Sequence, residues 1–286
     1  MLELRDVSFK YPNSDWIIEK ANLEINKGTI TGFIGKNGIG KSTLFKLILG
    51  INKPTKGKIF FFGQDISIES NRNLFYKLGG IIENPVAYSF LTGFENIEYF
   101  SKYYGGIKRG DINEIVNLFG LRRYISQKYS SYSLGTKQKF GLCLAFLHKP
   151  DLILLDEPTN GLDPWSVHEI KKIIEGLNVN FGTTFIISSH IIYDLLDISN
   201  SILTFKDKKL NLISRGSILS SNIFHLTVGR NQLSNLYALI GDQNYSIINN
   251  EKIEFNETDN LNLNQFLKLL IDNNIKIIEV KPIVEF

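Results

Sequence analysis

The residues Gly35-Lys36-Asn37-Gly38-Ile39-Gly40-Lys41-Ser42-Thr43 constrain this chain more than any other segment. They fit the pattern G-x-x-x-x-G-K-[ST] at every fixed position. Before them runs a β-rich apolar stretch, Thr29-Ile30-Thr31-Gly32-Phe33-Ile34. After them Leu44, Leu47 and Ile48 recur at helical spacing. In a strand–loop–helix context the glycines let backbone N–H groups curl round a di- or triphosphate, and the new helix points its positive end at the same anion. Lys41 would reach the β- and γ-phosphates and the Ser42 hydroxyl would ligate Mg²⁺. Gly35, Asn37, Gly38, Gly40 and Thr43 complete the candidate nucleotide-binding loop. Read alone, the same glycines could form a flexible turn ahead of a helix.

A second segment, Asp151-Leu152-Ile153-Leu154-Leu155-Asp156-Glu157-Pro158, bears on that choice. Four consecutive apolar residues predict a strand buried on both faces of a parallel sheet. Two carboxylates at its end would be costly to bury without a task, and a metal ion with a reacting water supplies one. Asp156 is the candidate metal holder, directly or through water. Glu157 is the candidate catalytic base that polarises the water attacking a γ-phosphate. Without the upstream loop, the pair could equally cap a surface turn before Pro158.

The chain has 286 residues, enough for one large or two modest domains, and 43% are hydrophobic, as in an ordinary globular protein. A formal net charge of +3, without a clustered basic run, gives no expectation of nucleic-acid binding. The single cysteine, Cys143, lies in an apolar stretch and reads as a buried thiol in a reducing compartment. The first residues, Met1-Leu2-Glu3-Leu4-Arg5-Asp6, carry charge too early for a secretory leader. No run reaches the roughly 18–20 apolar residues of a membrane span.

The opening of the chain predicts an antiparallel layer, with strands over Leu2 to Phe9 and Ile17 to Ile25, and Lys58 to Gly63 reads as another strand. Strands ending near Ile82, at Leu155 and at Ser188 then alternate with helical patterns over Phe94 to Tyr104, Ile112 to Phe119, Lys137 to His148 and Trp165 to Leu177. That alternation predicts an α/β fold with a largely parallel sheet. Composition shifts after Ser214. We read residues 1–214 as one domain, 215–222 as a linker and 223–286 as a small α+β module. In that module strands over Phe224 to Val228, Tyr245 to Ile248, Lys252 to Phe255 and Ile275 to Val280 enclose helical patterns at Leu233 to Ile240 and Leu263 to Leu270. The order β-α-β-β-α-β is that of the ferredoxin-like motif, which by itself says nothing about function.

Tyr132-Ser133-Leu134-Gly135-Thr136-Lys137-Gln138, just upstream of the Asp-Glu strand, resembles the L-S-G-G-Q signature of ABC-type ATPases. Ser133, Gly135 and Gln138 match it; Leu134, Thr136 and Lys137 depart. A hydroxyl and bare amides at a helix start make a second anion site. In ABC proteins this site closes on the nucleotide of the opposite subunit. The resemblance covers about residues 1 to 215 and implies a P-loop NTPase domain of ABC type, with an antiparallel β layer and a helical subdomain. It implies that two copies, a homodimer or pseudo-dimer, close on ATP and Mg²⁺. It places Tyr11 as the aromatic against adenine, Asp163 in Asn160-Gly161-Leu162-Asp163-Pro164 as the residue communicating across the dimer, and His190 as the catalytic switch on the γ-phosphate. Glu83 stands where family members commonly have a metal-touching Gln. That Glu, with Leu91-Thr92-Gly93-Phe94-Glu95-Asn96-Ile97 and Tyr-Ser-Leu-Gly, looks like the bacitracin-resistance and lantibiotic-immunity branch. The resemblance thus implies an ATPase peripheral to the cytoplasmic face of a membrane, driving a separate permease that exports an antimicrobial peptide. A soluble ABC ATPase acting on ribosomes or DNA would show a second ATPase unit, a coiled-coil insertion or a basic arm, and none is visible. A non-hydrolytic sensor is another alternative, and the intact Asp156-Glu157 pair speaks against it; within the transporter reading, another substrate and import rather than export stay open.

Overall fold

Polar and apolar residues alternate along β1 (Leu2–Phe9) and β2 (Ile18–Ile25), so each offers one apolar face. The two pair antiparallel, with Leu2 opposite Ile25 and Leu4 opposite Leu23. In contrast, β3 (Ile30–Ile34) is buried along its whole length, as a strand covered on both faces must be. α1 (Lys41–Ile48) follows the loop. β4 (Lys56–Phe61) and β5 (Gln64–Asp65) return to the first layer, whose order is β2-β1-β4-β5. A 3-10 stretch, Glu69–Lys77, leads into β6 (Leu78–Ile81). Then come α2 (Gly93–Ser101), α3 (Arg109–Leu118) and α4 (Leu134–Phe146), followed by β7 (Leu152–Leu155). α5 (Pro164–Phe181), β8 (Thr184–Ser189), the short α6 (Tyr193–Leu196), β9 (Ser201–Lys206) and β10 (Lys209–Ser214) close the first unit. This computed structural model describes the chain except residues 84–86, 192, 207, 216–222, 230–244, 250, 257–262, 274 and 283–286.

The second sheet has the order β10-β9-β3-β8-β7-β6. β3 pairs parallel with β8 and β9, and β7 pairs parallel with β8 and β6. The sequence reading ended this sheet at Ser188; β9 and β10 extend it. Ile202 and Leu203 of β9 are fully buried, but the apolar run around them is too short to stand out by periodicity. Leu44, Phe45, Leu47 and Ile48 of α1 pack in one core with Leu4 and Phe61 of the antiparallel layer and with Leu152, Leu154 and Ile186 of the parallel sheet. Each such side chain contributes about 1.5–3 kcal/mol on burial, so the helix that begins at the glycine loop is anchored on two layers. Cys143 is fully buried, and burial raises its thiol pKa well above the usual range. Among the described residues no helix is long and apolar enough to cross a membrane.

His148, just past α4, stacks on Tyr104 with ring centroids 4.1 Å apart. Its Nε2 lies 3.0 Å from the Leu78 carbonyl, so this nitrogen carries the donating proton. Burial lowers the imidazole pKa. Above the unfolded value of about 6.5 both states hold a neutral ring. As pH falls from there, the unfolded chain takes up a proton first and stability declines. Thermal melts between about pH 7.5 and 5.5 will show this loss, and His148→Gln will flatten it. An unchanged slope in the variant would remove His148 as its source.

The chain divides into two compact units, Met1–Ile213 and Ser214–Phe286. In the second, β11 (Ile223–Val228), β12 (Tyr245–Asn249), β13 (Lys252–Asn256), α7 (Leu263–Asp272) and β14 (Ile277–Pro282) form a four-stranded sheet with a helix. The order is β12-β13-β11-β14, antiparallel throughout, which is the strand arrangement of the split βαβ pattern. Phe255 and Phe266 stack at 4.1 Å in a core with Leu226, Val228 and Ile253. The helix expected over Leu233 to Ile240, and the linker beyond residue 215, lie outside the described residues.

Candidate nucleotide-binding site

Parallel strands deliver their C-terminal ends to one edge of the sheet, where α/β proteins place ligands. β8 lies between β3 and β7, so Ser188 and Ser189 stand between the glycine loop and the Asp156-Glu157 turn. The Ser42 hydroxyl donates to Asp156 Oδ2 at 2.5 Å, and the Ser188 hydroxyl donates to Asp156 Oδ1 at 2.5 Å. The Glu157 amide donates to Ser188 Oγ at 2.9 Å. That bond helps to hold Glu157 at φ 48°, a left-handed conformation rare for a residue with a side chain. The turn sets the Glu157 carboxylate between two basic groups. Oε1 is 3.2 Å from Lys41 Nζ and Oε2 is 3.2 Å from His190 Nδ1. Lys41, with only 5% of its side chain exposed, also donates to the Gly35 carbonyl at 2.6 Å and the Lys36 carbonyl at 3.4 Å.

Above this cluster lies a cavity of about 380 Å³, lined by Asn37, Gly38, Gly40, Lys41, Ser42 and Thr43 together with Ile17 and Glu157. Gly40 has φ 116°, and a Cβ there would sit 2.8 Å from Ile17 Cγ2. It caps α1 with no side-chain hydrogen bond, and the first turn holds no acidic residue. An uncapped helix start beside a buried ammonium fits a phosphate. The metal donors fit as well. Ser42 and Asp156 supply two hard oxygens, and among the described residues no cluster of three His, Cys, Asp or Glu could cage a metal. One carboxylate and one hydroxyl leave most positions to water and phosphate oxygens, as Mg²⁺ prefers.

Several sequence-predicted residues do not line this cavity, Glu83, Tyr11 and Gln138 among them. Glu83 does not line the cavity. Its carboxylate, 71% exposed, lies 3.3 Å from Lys46 Nζ on α1, and its backbone turns at φ 68°. Tyr11 does not line the cavity either. Its ring packs edge-on to Phe9 at 4.9 Å and its hydroxyl accepts from Asn52 at 3.4 Å, while Ile17 takes the place beside the loop. Gln138 is buried in α4 with Oε1 unpaired. Because α4 is buried on most sides, that amide faces protein rather than a nucleotide.

Glu157 also borders a second cavity, about 360 Å³, with Thr159, Asn160, Gly161, Ser189 and His190. Asp163 caps α5, accepting from the Ser166 amide at 3.0 Å and the Ser166 hydroxyl at 2.6 Å. Those bonds hold its carboxyl pKa below the ordinary value. Ser133 caps α4. A Cβ on Gly135 would lie 2.6 Å from Ser166 Oγ, so the starts of α4 and α5 touch, and a side chain there would displace the Ser166 hydroxyl. Tyr129, Tyr132 and Phe140 pack ring to ring at 5.5–5.6 Å behind the Ser133 turn, and burial pushes the Tyr132 hydroxyl up to about 12. Neither Ser133 nor Gly135 lines the glycine-loop cavity. Sequence reading missed Ser188, Ile17 and Ser166. Ser188 had a signal, a hydroxyl ending an apolar strand beside a predicted metal carboxylate.

Such a loop, a carboxylate pair and a histidine beside it on one sheet edge define a P-loop nucleotide site. The ABC transporter family profile matches residues 18–160, half of the chain. The bacitracin transport ATP-binding protein BcrA of Enterococcus faecalis is 37% identical over 71% of this chain and 65% of its own length, so the match spans just under two thirds of that relative. The lantibiotic transport ATP-binding protein SrtF of Streptococcus pyogenes is 34% identical over 71% of this chain and 85% of that protein. The ATP-binding cassette MJ0796, solved as a dimer with ADP and Pi, superposes with a TM-score of 0.67 at 24% identity, over 75% of this chain and 99% of that one. The chain belongs to the ABC transporter family, and its first unit has the fold of the ABC-type ATPase cassettes.

Proposed function

We propose that this protein is the ATP-hydrolysing subunit of a transporter, driving a separate membrane permease from the cytoplasmic face, and that the cargo is an exported antimicrobial peptide of bacitracin or lantibiotic type. The observation that carries the reading is the convergence of Lys41, Ser42, Asp156, Glu157 and His190 in hydrogen bonds and ion pairs at one edge of the parallel sheet. Lys41 binds the phosphates once they displace its contacts to Gly35 and Glu157. Glu157 accepts a proton from water as its oxygen bonds the γ-phosphorus and the bond to the bridging oxygen breaks. His190 orients the Glu157 carboxylate. Mg²⁺, held by Ser42 and Asp156, supplies neutralisation of phosphate charge. Ser133 stands outside the cavity, so its anion site serves the nucleotide of a second copy. Residues 1–214 form the ATP-binding domain, 215–222 the linker and 223–286 an accessory module. The cargo reading is supported by the names of BcrA and SrtF.

A tagged Glu157→Gln protein, loaded with ATP and recovered from detergent-solubilised host membranes, tests the reading. It will bring down one polytopic membrane protein, and co-expression of wild-type protein with that permease will raise resistance to bacitracin or a lantibiotic. Recovery of ribosomes or DNA in its place would transfer the site to a soluble ATPase. Recovery of a permease without resistance would remove the peptide cargo alone.

A further inference from the structure

Ser133 and Thr136 lie three residues apart at the start of α4 and differ in setting. Ser133 is exposed, whereas Thr136 is 5% exposed. Ser133 Oγ accepts from the Thr136 amide at 3.3 Å, and the two hydroxyl oxygens are 2.9 Å apart. Among the described residues the Thr136 hydroxyl has no other hydrogen-bond partner. Either hydroxyl could donate across that contact. A serine hydroxyl has one proton and two lone pairs. If Ser133 donated inward, it would have no proton for an external anion. If Thr136 donates, its amide and hydroxyl fill both Ser133 lone pairs, and the Ser133 proton points outward to the exposed side. An anion there favours the second arrangement, because successive hydrogen bonds polarise one another.

We propose that Thr136 is a positioning residue that acts through Ser133, turning the serine proton toward the γ-phosphate of the nucleotide on a second copy of the chain. The proposal rests on the reading of Ser133 as a donor between copies. Thr136 touches no substrate; its hydroxyl fixes the rotor of the group that does.

The test is steady-state ATP hydrolysis by the full chain in four variants, with melting curves to confirm folding. Thr136→Val keeps the side-chain shape and removes the hydroxyl. It will lower kcat about five- to tenfold, the scale of one hydrogen bond, and leave KM within about twofold, because the phosphate loop is untouched. Thr136→Ser, which restores the hydroxyl, will recover most of the loss. Ser133→Ala will lose at least as much, and the double variant Ser133→Ala with Thr136→Val will be no slower than Ser133→Ala alone. Wild-type kcat in Thr136→Val, no recovery with Ser, or additive losses would each overturn the proposal while leaving the donor role of Ser133 intact. Wild-type kcat in Ser133→Ala would remove the donor role itself.

Discussion

Glu157→Gln will bind nucleotide at least as tightly as the wild-type chain and release phosphate at least about a hundredfold more slowly, the low end of the range for losing a general base. The amide keeps nearly the shape of the carboxylate, but it cannot take a proton from water. Binding should not suffer, because Glu157 Oε1 lies 3.2 Å from Lys41 Nζ. That carboxylate engages the ammonium the phosphates need, and the substitution removes a charged competitor. A left-handed backbone at Glu157 is tolerated equally by Gln, and the Ser188 bond to the amide at this position is unaffected. Phosphate release and calorimetric titration with ADP separate the two statements. Hydrolysis within a few-fold of wild type would remove Glu157 as the base. Weaker ADP binding would show that the pair with Lys41 prepares the site rather than blocks it.

Much of this site was legible because its chemistry is local in sequence. Lys41 and Ser42 follow a loop of fixed spacing, and Asp156-Glu157 ends an apolar run; both patterns survive without knowledge of the fold. The residues that join them were not legible for the opposite reason. Ser188 meets Asp156 only because β8 lies between β3 and β7, and strand order is not a local property. Ser166 meets Gly135 only because two helix starts touch. Glu83 was assigned to metal from its position in the motif series, and strand order alone decides that its carboxylate comes within 3.3 Å of a lysine one helical turn along α1 from Ser42. Gln138 matched a letter of the signature while the near-complete burial of α4 turned it inward. In the second unit, strand periodicity and the pairing of β12 with β13 were readable from alternation, because each strand buries one face only.

Asp156 will separate architecture from chemistry. It is buried and accepts two hydroxyls, one on each oxygen. In Asp156→Ala the Ser42 hydroxyl faces the open cavity, where water can replace its partner. Ser188 is fully buried and has no such recourse, so its stranded donor sets the loss of stability at about 1–3 kcal/mol. Asp156→Asn keeps an acceptor and adds a donor in the same volume, and serine rotors can adjust to both, so its melting point will stay closer to wild type. Neither variant retains the charge. Both will therefore lose the gain in nucleotide affinity that Mg²⁺ gives over EDTA, while binding in EDTA, which depends on Lys41 and the amides of α1, will persist. If Asn keeps the Mg²⁺ gain, Asp156 is not the metal's carboxylate and its two hydrogen bonds are architecture. If Ala melts with wild type, water reaches Ser188 and the chemistry alone accounts for the residue.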